Sequence, residues 1–240
     1  MNILKSIHKF FMYGYKRNSN SYLTYLRKAG VTIGENVIFH EPYTNYIDTQ
    51  KGFLISIGNN VQITRNVIIL THDYSWAVLK AKYNEIIGFR KKVEIGDNVF
   101  IGMNSIIMGG VKIGKNVIIG ANSVVTKDIP DDSIVCGNPA KIISNIDSYY
   151  TKRKNNYIEE AEEMFYSYYR KYNRIPPKKI FDEFFWIFES RKNVIEKEFD
   201  EKMKLCGNYF ETKNQFYTSK GDFDNYEQFV EFCKNKYKIK

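Results

Sequence analysis

Apolar residues recur through the middle of this chain at neither the helical nor the strand period. From Ile95 onward they fall every six positions: Ile95, Ile101, Ile107, Ile113, Ile119 and Val125. A tetrad, Ile-Gly-x-Asn, marks the same spacing at Ile33, Ile57, Ile95, Ile101, Ile113 and Ile119, with a degenerate copy, Ile63-Thr64-Arg65-Asn66. This period predicts a triangular solenoid, in which one hexapeptide makes one face of a coil and three close a turn. The Ile points into the prism, the small residue after it lets the chain turn, and Asn tolerates left-handed backbone angles at the corner. No coil is stable alone, so stability comes from stacking.

The flanks read differently. Ile3, Leu4, Ile7, Phe10 and Phe11 stand at helical spacing, which predicts an N-terminal helical cap over residues 1–29. Such a cap covers the open end of the solenoid, and its lysines and arginines also suit a membrane surface. The solenoid is expected over 30–146 and a helical extension over 147–240. Within the extension, helices are expected over Tyr157–Tyr172, Ile180–Lys204 and about Tyr226–Lys236, with a break at Pro176-Pro177. The stripe Phe181, Phe184, Phe185 and Phe188 predicts packed core.

Between Leu70 and Val93 the six-residue phase is lost, because Ile57 and Ile95 are 38 positions apart. The inserted segment, THDYSWAVLKAKYNEIIGFRKK, opens on Thr71-His72-Asp73. Loops that leave a rigid scaffold commonly carry chemistry, and imidazole is the side chain suited to proton transfer near neutral pH.

Composition sharpens this picture mainly by exclusion. The 240 residues carry 36 Lys+Arg against 27 Asp+Glu, a formal net charge of +9, spread without a basic stripe. No nucleic-acid-binding motif accompanies that charge, so a nucleic-acid partner is not expected. Three cysteines, Cys136, Cys206 and Cys233, form neither a disulfide framework nor a zinc pattern. His8, His40 and His72 stand 32 residues apart at each step, which argues against a three-histidine metal site. With no long apolar run and no signal-peptide pattern, a cytoplasmic protein is expected. Thirteen of the 15 glycines precede Ser148, whereas 23 of the 38 aromatic residues follow it, so the two parts are built on different principles.

The stretch VEIGDNVFIGMNSIIMGGVKIGKNVIIGANSVVTKDIP, followed by CGNPAKI, resembles the hexapeptide-repeat acyltransferases. The match runs from about Gly30 to Ile143. Its wording is most similar to the galactoside, maltose and surface-polysaccharide O-acetyltransferases. The resemblance implies a mainly β fold, a left-handed parallel β-helix, and a homotrimer with each site completed between two subunits. It implies acetyl-CoA as co-substrate, no metal, and a sugar or glycan acceptor. His72 matches the family's general base by position. Asp73, Asp48 and Glu94 are candidates to orient it, and Asp73 is taken with His72 as the catalytic pair. The resemblance implies a coenzyme A track over Gly102, Ser105, Gly120, Ala121, Thr126, Lys127, Asn138, Pro139 and Lys141. Asp48, Tyr74 and Trp76 are the expected acceptor contacts, the aromatic pair through a sugar face. Met108 and Phe100 depart from the usual small residue and tryptophan, which bears on acceptor identity. Serine or another small hydroxyl compound as acceptor, and a non-catalytic scaffold binding partners through its tail, are the alternatives.

Overall fold

The computed structural model describes residues 11–239, and the expected positions Ile3, Leu4, Ile7, His8 and Phe10 lie outside them. Contacts divide the chain into two units, the first ending at Tyr149 and the second starting at Tyr150.

Among the described residues of the first unit, fourteen short strands form three sheets, one per face of a prism. Face A stacks β1 (Thr32–Ile33), β4 (Ile55–Ile57), β7 (Val93–Ile95) and β10 (Lys112–Ile113). Face B stacks β2 (Ile38–Phe39), β5 (Gln62–Ile63), β8 (Val99–Ile101), β11 (Val117–Ile119) and β13 (Ser133–Cys136). Face C stacks β3 (Tyr46–Ile47), β6 (Ile68–Ile69), β9 (Ile106–Ile107) and β12 (Val124–Val125). The pairings are parallel until β14 (Lys141–Asn145) returns antiparallel on β13 and ends face B. The register puts like on like: Ile57 beside Ile95, Ile63 beside Ile101, Ile69 beside Ile107. Ile95, Ile101, Ile107, Ile113, Ile119 and Val125 are all buried in one continuous core, so the six-residue period is the inward side of the prism.

The corners explain the asparagines. Asn36, Asn60, Asn98 and Asn116 all have left-handed φ near +56°, as do Asn66, Asn104 and Asn122 at a second corner. Each side chain bonds to the same residue one coil away. Asn36 Nδ2 donates to Asn60 Oδ1, Asn60 to Asn98, Asn98 to Asn116, and Asn116 to Asp132. Asn66, Asn104 and Asn122 repeat the ladder. The glycines before them are needed for close stacking: a Cβ on Gly58 would lie 2.8 Å from the Gly96 carbonyl oxygen.

Helix α1 (Ser19–Lys28), capped by the Asn18 side chain, lays Tyr22, Leu23 and Leu26 on the first coil. The Tyr22 ring meets Phe39 edge-on at 5.0 Å between centroids. The insertion after β6 contains one short helix, α2 (Trp76–Tyr83).

The second unit contains most of α3 (Ile146–Tyr172), with α4 (Lys197–Met203), α5 (Tyr209–Thr218) and α6 (Tyr226–Tyr237). Its core is aromatic, with Phe165, Phe181, Phe188, Phe199, Phe216 and Phe229 fully buried. The expected helix over Ile180–Lys204 is corrected. Phe181 and Phe185 sit instead on two 3-10 turns, Lys178–Phe181 and Phe185–Ile187, Phe184 and Phe188 flank the second, and only α4 is helical. Arg191 donates to the carbonyls of Trp186 and Glu189, taking acceptors that a continuing helix would use for itself. Phe181, Phe185 and Phe188 are still core, but helical spacing did not imply a helix. Helix α5 was not anticipated. Among the described residues no helix is long and apolar enough to cross a membrane.

The corner geometry makes a test. Asn98→Ala places a Cβ-bearing residue without a local hydrogen bond in the left-handed region, at roughly 1–2 kcal/mol. Asn98→Gly loses the same side-chain bonds without that strain. The urea midpoint is expected to fall further for Ala than for Gly, by about 1 kcal/mol in stability; equal midpoints would refute the account.

Candidate active site

Asp48 directly follows β3, and Thr71-His72 follows β6 by one residue. Because Ile47 pairs with Ile69, the two segments leave adjacent coils at the same corner, between faces C and A. Residues 24 apart in sequence are thereby brought into contact. His72 Nδ1 lies 2.6 Å from Asp48 Oδ2. Thr71 is fully buried beneath the ring, and both its amide and its hydroxyl donate to the same Asp48 oxygen. The Gln50 amide donates to Asp48 Oδ1 at 3.1 Å.

This arrangement fixes the chemistry of the ring. Asp48 is 0% exposed. Burial raises its carboxyl pKa, but the donated bonds from the Thr71 hydroxyl, His72 and the Gln50 and Thr71 amides outweigh that effect. The net result holds it below the ordinary carboxylate value. An ionised carboxylate only accepts, so Nδ1 carries the hydrogen, and in the neutral ring the lone pair falls on Nε2. His72 lines a cleft of about 330 Å³ with Gln50, Asp73, Tyr74, Trp76, Phe89 and Arg90. The insertion returns to this point: Arg90 forms an antiparallel bridge with His72, and its guanidinium donates to the Gln50 side chain at 3.3 Å.

Two expectations are corrected here. Asp73 does not orient His72, since its carboxylate accepts from the amide and hydroxyl of Ser75 and starts the turn into α2. Those bonds, the hydroxyl's foremost, hold its carboxyl below the usual range. Asp48 does not face an acceptor, because it has no exposed surface and its oxygens are already used. Glu94 points away on face A and pairs with Lys92 at 2.8 Å. Tyr74 and Trp76 do line the cleft, with the Tyr74 ring 5.9 Å from the imidazole and 6.0 Å from Trp76. His40 is elsewhere, bonded to Gln62 across face B. Sequence reasoning missed Thr71, Gln50 and Arg90. The available signal was the register of the irregular first coil, where no hexapeptide phase exists to count from.

The expected donor track falls on two edges of face C. Thr126 and Lys127, both exposed, follow β12 at the corner that carries His72 two coils earlier. Gly102, Gly120 and Ala121 stand at the opposite corner, between faces B and C. The exposed residues Asn138, Pro139 and Lys141 adjoin that second corner, where Lys141 pairs with Cys136. Ser105 is a correction: it is fully buried, and its hydroxyl donates to the Gly120 carbonyl, so it braces a turn. Gly102 is buried as well, with Ala121 and Gly120 backbone stacked against it. Among the described residues no group of three or more His, Cys, Asp or Glu is placed to hold a metal ion.

Residues 92–127 match the bacterial transferase hexapeptide family, with six repeats. The chain is 48% identical over 148 residues to Protein CapG of Staphylococcus aureus, covering 62% of this chain and 84% of that protein. It is 30% identical over 147 residues to the galactoside O-acetyltransferase of Escherichia coli (strain K12), covering 53% of this chain and 71% of that enzyme. Three other relatives are each 44% identical, and the chain spans about half of their length, 45–49%. A solved galactoside acetyltransferase in complex with coenzyme A shares 26% identity with a TM-score of 0.44, over 60% of this chain and 82% of that one. The repeat at residues 92–127 and the identity across most of CapG and of the galactoside enzyme lead to one conclusion: the chain belongs to the hexapeptide-repeat acetyltransferases, which are built on the left-handed parallel β-helix.

Proposed function

We propose that the protein moves an acetyl group from acetyl-CoA to a hydroxyl of a sugar in a bacterial surface polysaccharide or its precursor. The observation that carries this reading is the His72–Asp48 pair at the break in the repeat, beside a cleft lined by Tyr74 and Trp76. Asp48 accepts from Nδ1–H and so fixes the tautomer whose neutral ring has its lone pair on Nε2, which takes the acceptor's hydroxyl proton as its oxygen attacks the thioester carbonyl. The tetrahedral intermediate then collapses to the acetyl ester. The C–S bond breaks, and the departing thiolate receives the proton back from Nε2 to give free coenzyme A. Transfer is direct, since Cys136 stands on the opposite edge of face C and no nucleophilic side chain is required. Tyr74, 66% exposed, offers a ring face to a sugar.

The donor track also favours a trimer. Lys127 and Lys141 lie on opposite edges of face C, so one chain cannot readily offer both to one coenzyme A. Three copies about a threefold axis bring one edge beside the opposite edge of a neighbour. The outer row of face C, Tyr46, Ile68, Ile106 and Val124, is apolar, while the outer row of face A is Thr32, Ser56, Glu94 and Lys112. An apolar outer row suits burial against another copy. In domain terms, this reading takes residues 1–29 as cap, 30–146 as the catalytic β-helix and 147–240 as an extension outside the transfer chemistry.

Three measurements test this. His72→Ala and Asp48→Asn are each expected to lower kcat for acetyl transfer by about 10²–10⁴-fold, while Asp73→Asn keeps most activity. If Asp73→Asn is the inactive variant and Asp48→Asn is not, the dyad is misassigned. Lys127→Ala and Lys141→Ala should each raise the KM for acetyl-CoA by about tenfold or more, with the acceptor KM nearly unchanged. The opposite split would move both lysines to the acceptor side. Light scattering should give a particle of three chains; an active monomer at micromolar concentration contradicts the shared site.

A further inference from the structure

The second unit contains a cleft that the transfer chemistry does not use, with a volume of about 760 Å³. That is within the roughly 300–1,000 Å³ typical of small-molecule sites. Its floor is aromatic: Tyr157 stacks on Phe184 at 5.2 Å, and Phe185 and Trp186 lie side by side with Trp186 edge-on to Phe216. Trp186 is only half-buried, so part of its indole face looks into the cleft. Its rim is rich in donors. Lys154, Thr212, Gln215 and Lys220 border the cleft; the Lys154 ammonium stands 5.9 Å from the Tyr150 ring centroid, also on the rim, and none of the four side chains is in a hydrogen bond or ion pair among the described residues. Two other rim cations are neutralised internally, Arg153 by Glu160 and Lys202 by Asp182 and Glu183. Of the two acidic rim residues, Glu183 is used in that pairing, and Asp222 acts electrostatically on the Arg191 guanidinium.

An aromatic floor under a rim of ammonium, amide and hydroxyl donors matches a ligand with an apolar ring face, many acceptor oxygens and a negative charge. We propose that this cleft is a second saccharide site, which binds an acidic oligosaccharide of uronic or sialic acid type. The choice of a sugar rests on the glycan-acetyltransferase reading above; the donor excess and the aromatic floor do not. The cleft holds a segment of the polymeric acceptor, with the sugar rings on Trp186 and Tyr157 and the carboxylates at Lys154 and Lys220. Long acidic acceptors then bind more tightly than short ones with no change at the His72 centre.

The test uses the full chain carrying His72→Ala, so that nothing turns over, titrated calorimetrically with tetrasaccharides of galacturonic acid and of sialic acid. The carboxyl-reduced neutral tetrasaccharides and a nucleoside diphosphate are the other ligands. At least one acidic tetrasaccharide is expected to bind, and its neutral counterpart to bind about tenfold more weakly, the scale of one charge-assisted contact. Lys154→Glu with Lys220→Glu, both exposed and remote from the core, should weaken acidic binding by about tenfold or more. In the chain with His72 intact, the same pair should raise KM for a long acidic acceptor and leave a monosaccharide acceptor unaffected. Equal binding of neutral and acidic sugars, indifference to the double variant, or lysine-dependent binding of the nucleoside diphosphate alone would each overturn the site. Acetylation of simple sugars without acidic-sugar binding refutes this site only. Binding at the cleft without acetylation of any sugar refutes the functional reading and leaves the site standing.

Discussion

Parallel hydrogen bonding of each coil onto the next is the constraint on which the first unit depends. It holds neighbouring strands in fixed register, so that each residue of a coil has one partner above and one below. Aliphatic side chains must then stack on aliphatic ones, and each corner must turn within the same few residues. The asparagine ladders satisfy both demands at the corners, since one residue type takes the left-handed backbone and also bonds to its own copy. Side-chain amides so paired leave few polar groups idle along an edge that contacts solvent.

The same register builds the candidate active site. Carrying β3 onto β6 places the residue after one strand beneath the residues after the other, and those residues are Asp48 and Thr71-His72. Burying an ionised carboxylate is costly unless its lone pairs are filled. Here four donors fill them: two from Thr71, one from His72 and one from Gln50. A rigid, desolvated carboxylate positions an imidazole more exactingly than a carboxylate on the insertion, where Asp73 is exposed and shaped by its own turn. The insertion supplies the cleft walls, and the β-helix supplies the geometry.

The second unit obeys other rules. Its core is a cluster of phenylalanines meeting mostly edge-on or tilted, between the long helix α3 and a set of short helices and 3-10 turns. Ion pairs from surface lysines to buried carboxylates, Lys178 with Glu189 and Lys236 with Glu162, tie these pieces together. The two units are thus built on different principles, as the split of glycines and aromatic residues between them implies.

Much of this was legible in the residues. A six-residue period has only one common structural solution, so the solenoid, its inward isoleucines and its asparagine corners were readable before any coordinates. The break at Leu70 likewise marked where His72 leaves the scaffold. What the sequence left undetermined was every relation set by non-repeating segments. Asp73 is next to His72 in the chain, yet Asp48, 24 residues earlier, is its partner, because adjacency along a chain does not fix direction in space. Ser105 and Gly102 carried the wording of a ligand track, but stacking buried them. Phe181, Phe184, Phe185 and Phe188 had helical spacing, but Arg191 claimed carbonyls a helix needs, and turns resulted. Periodicity determines structure where identical neighbours repeat the same contacts; where the repeat stops, only tertiary packing decides which groups meet.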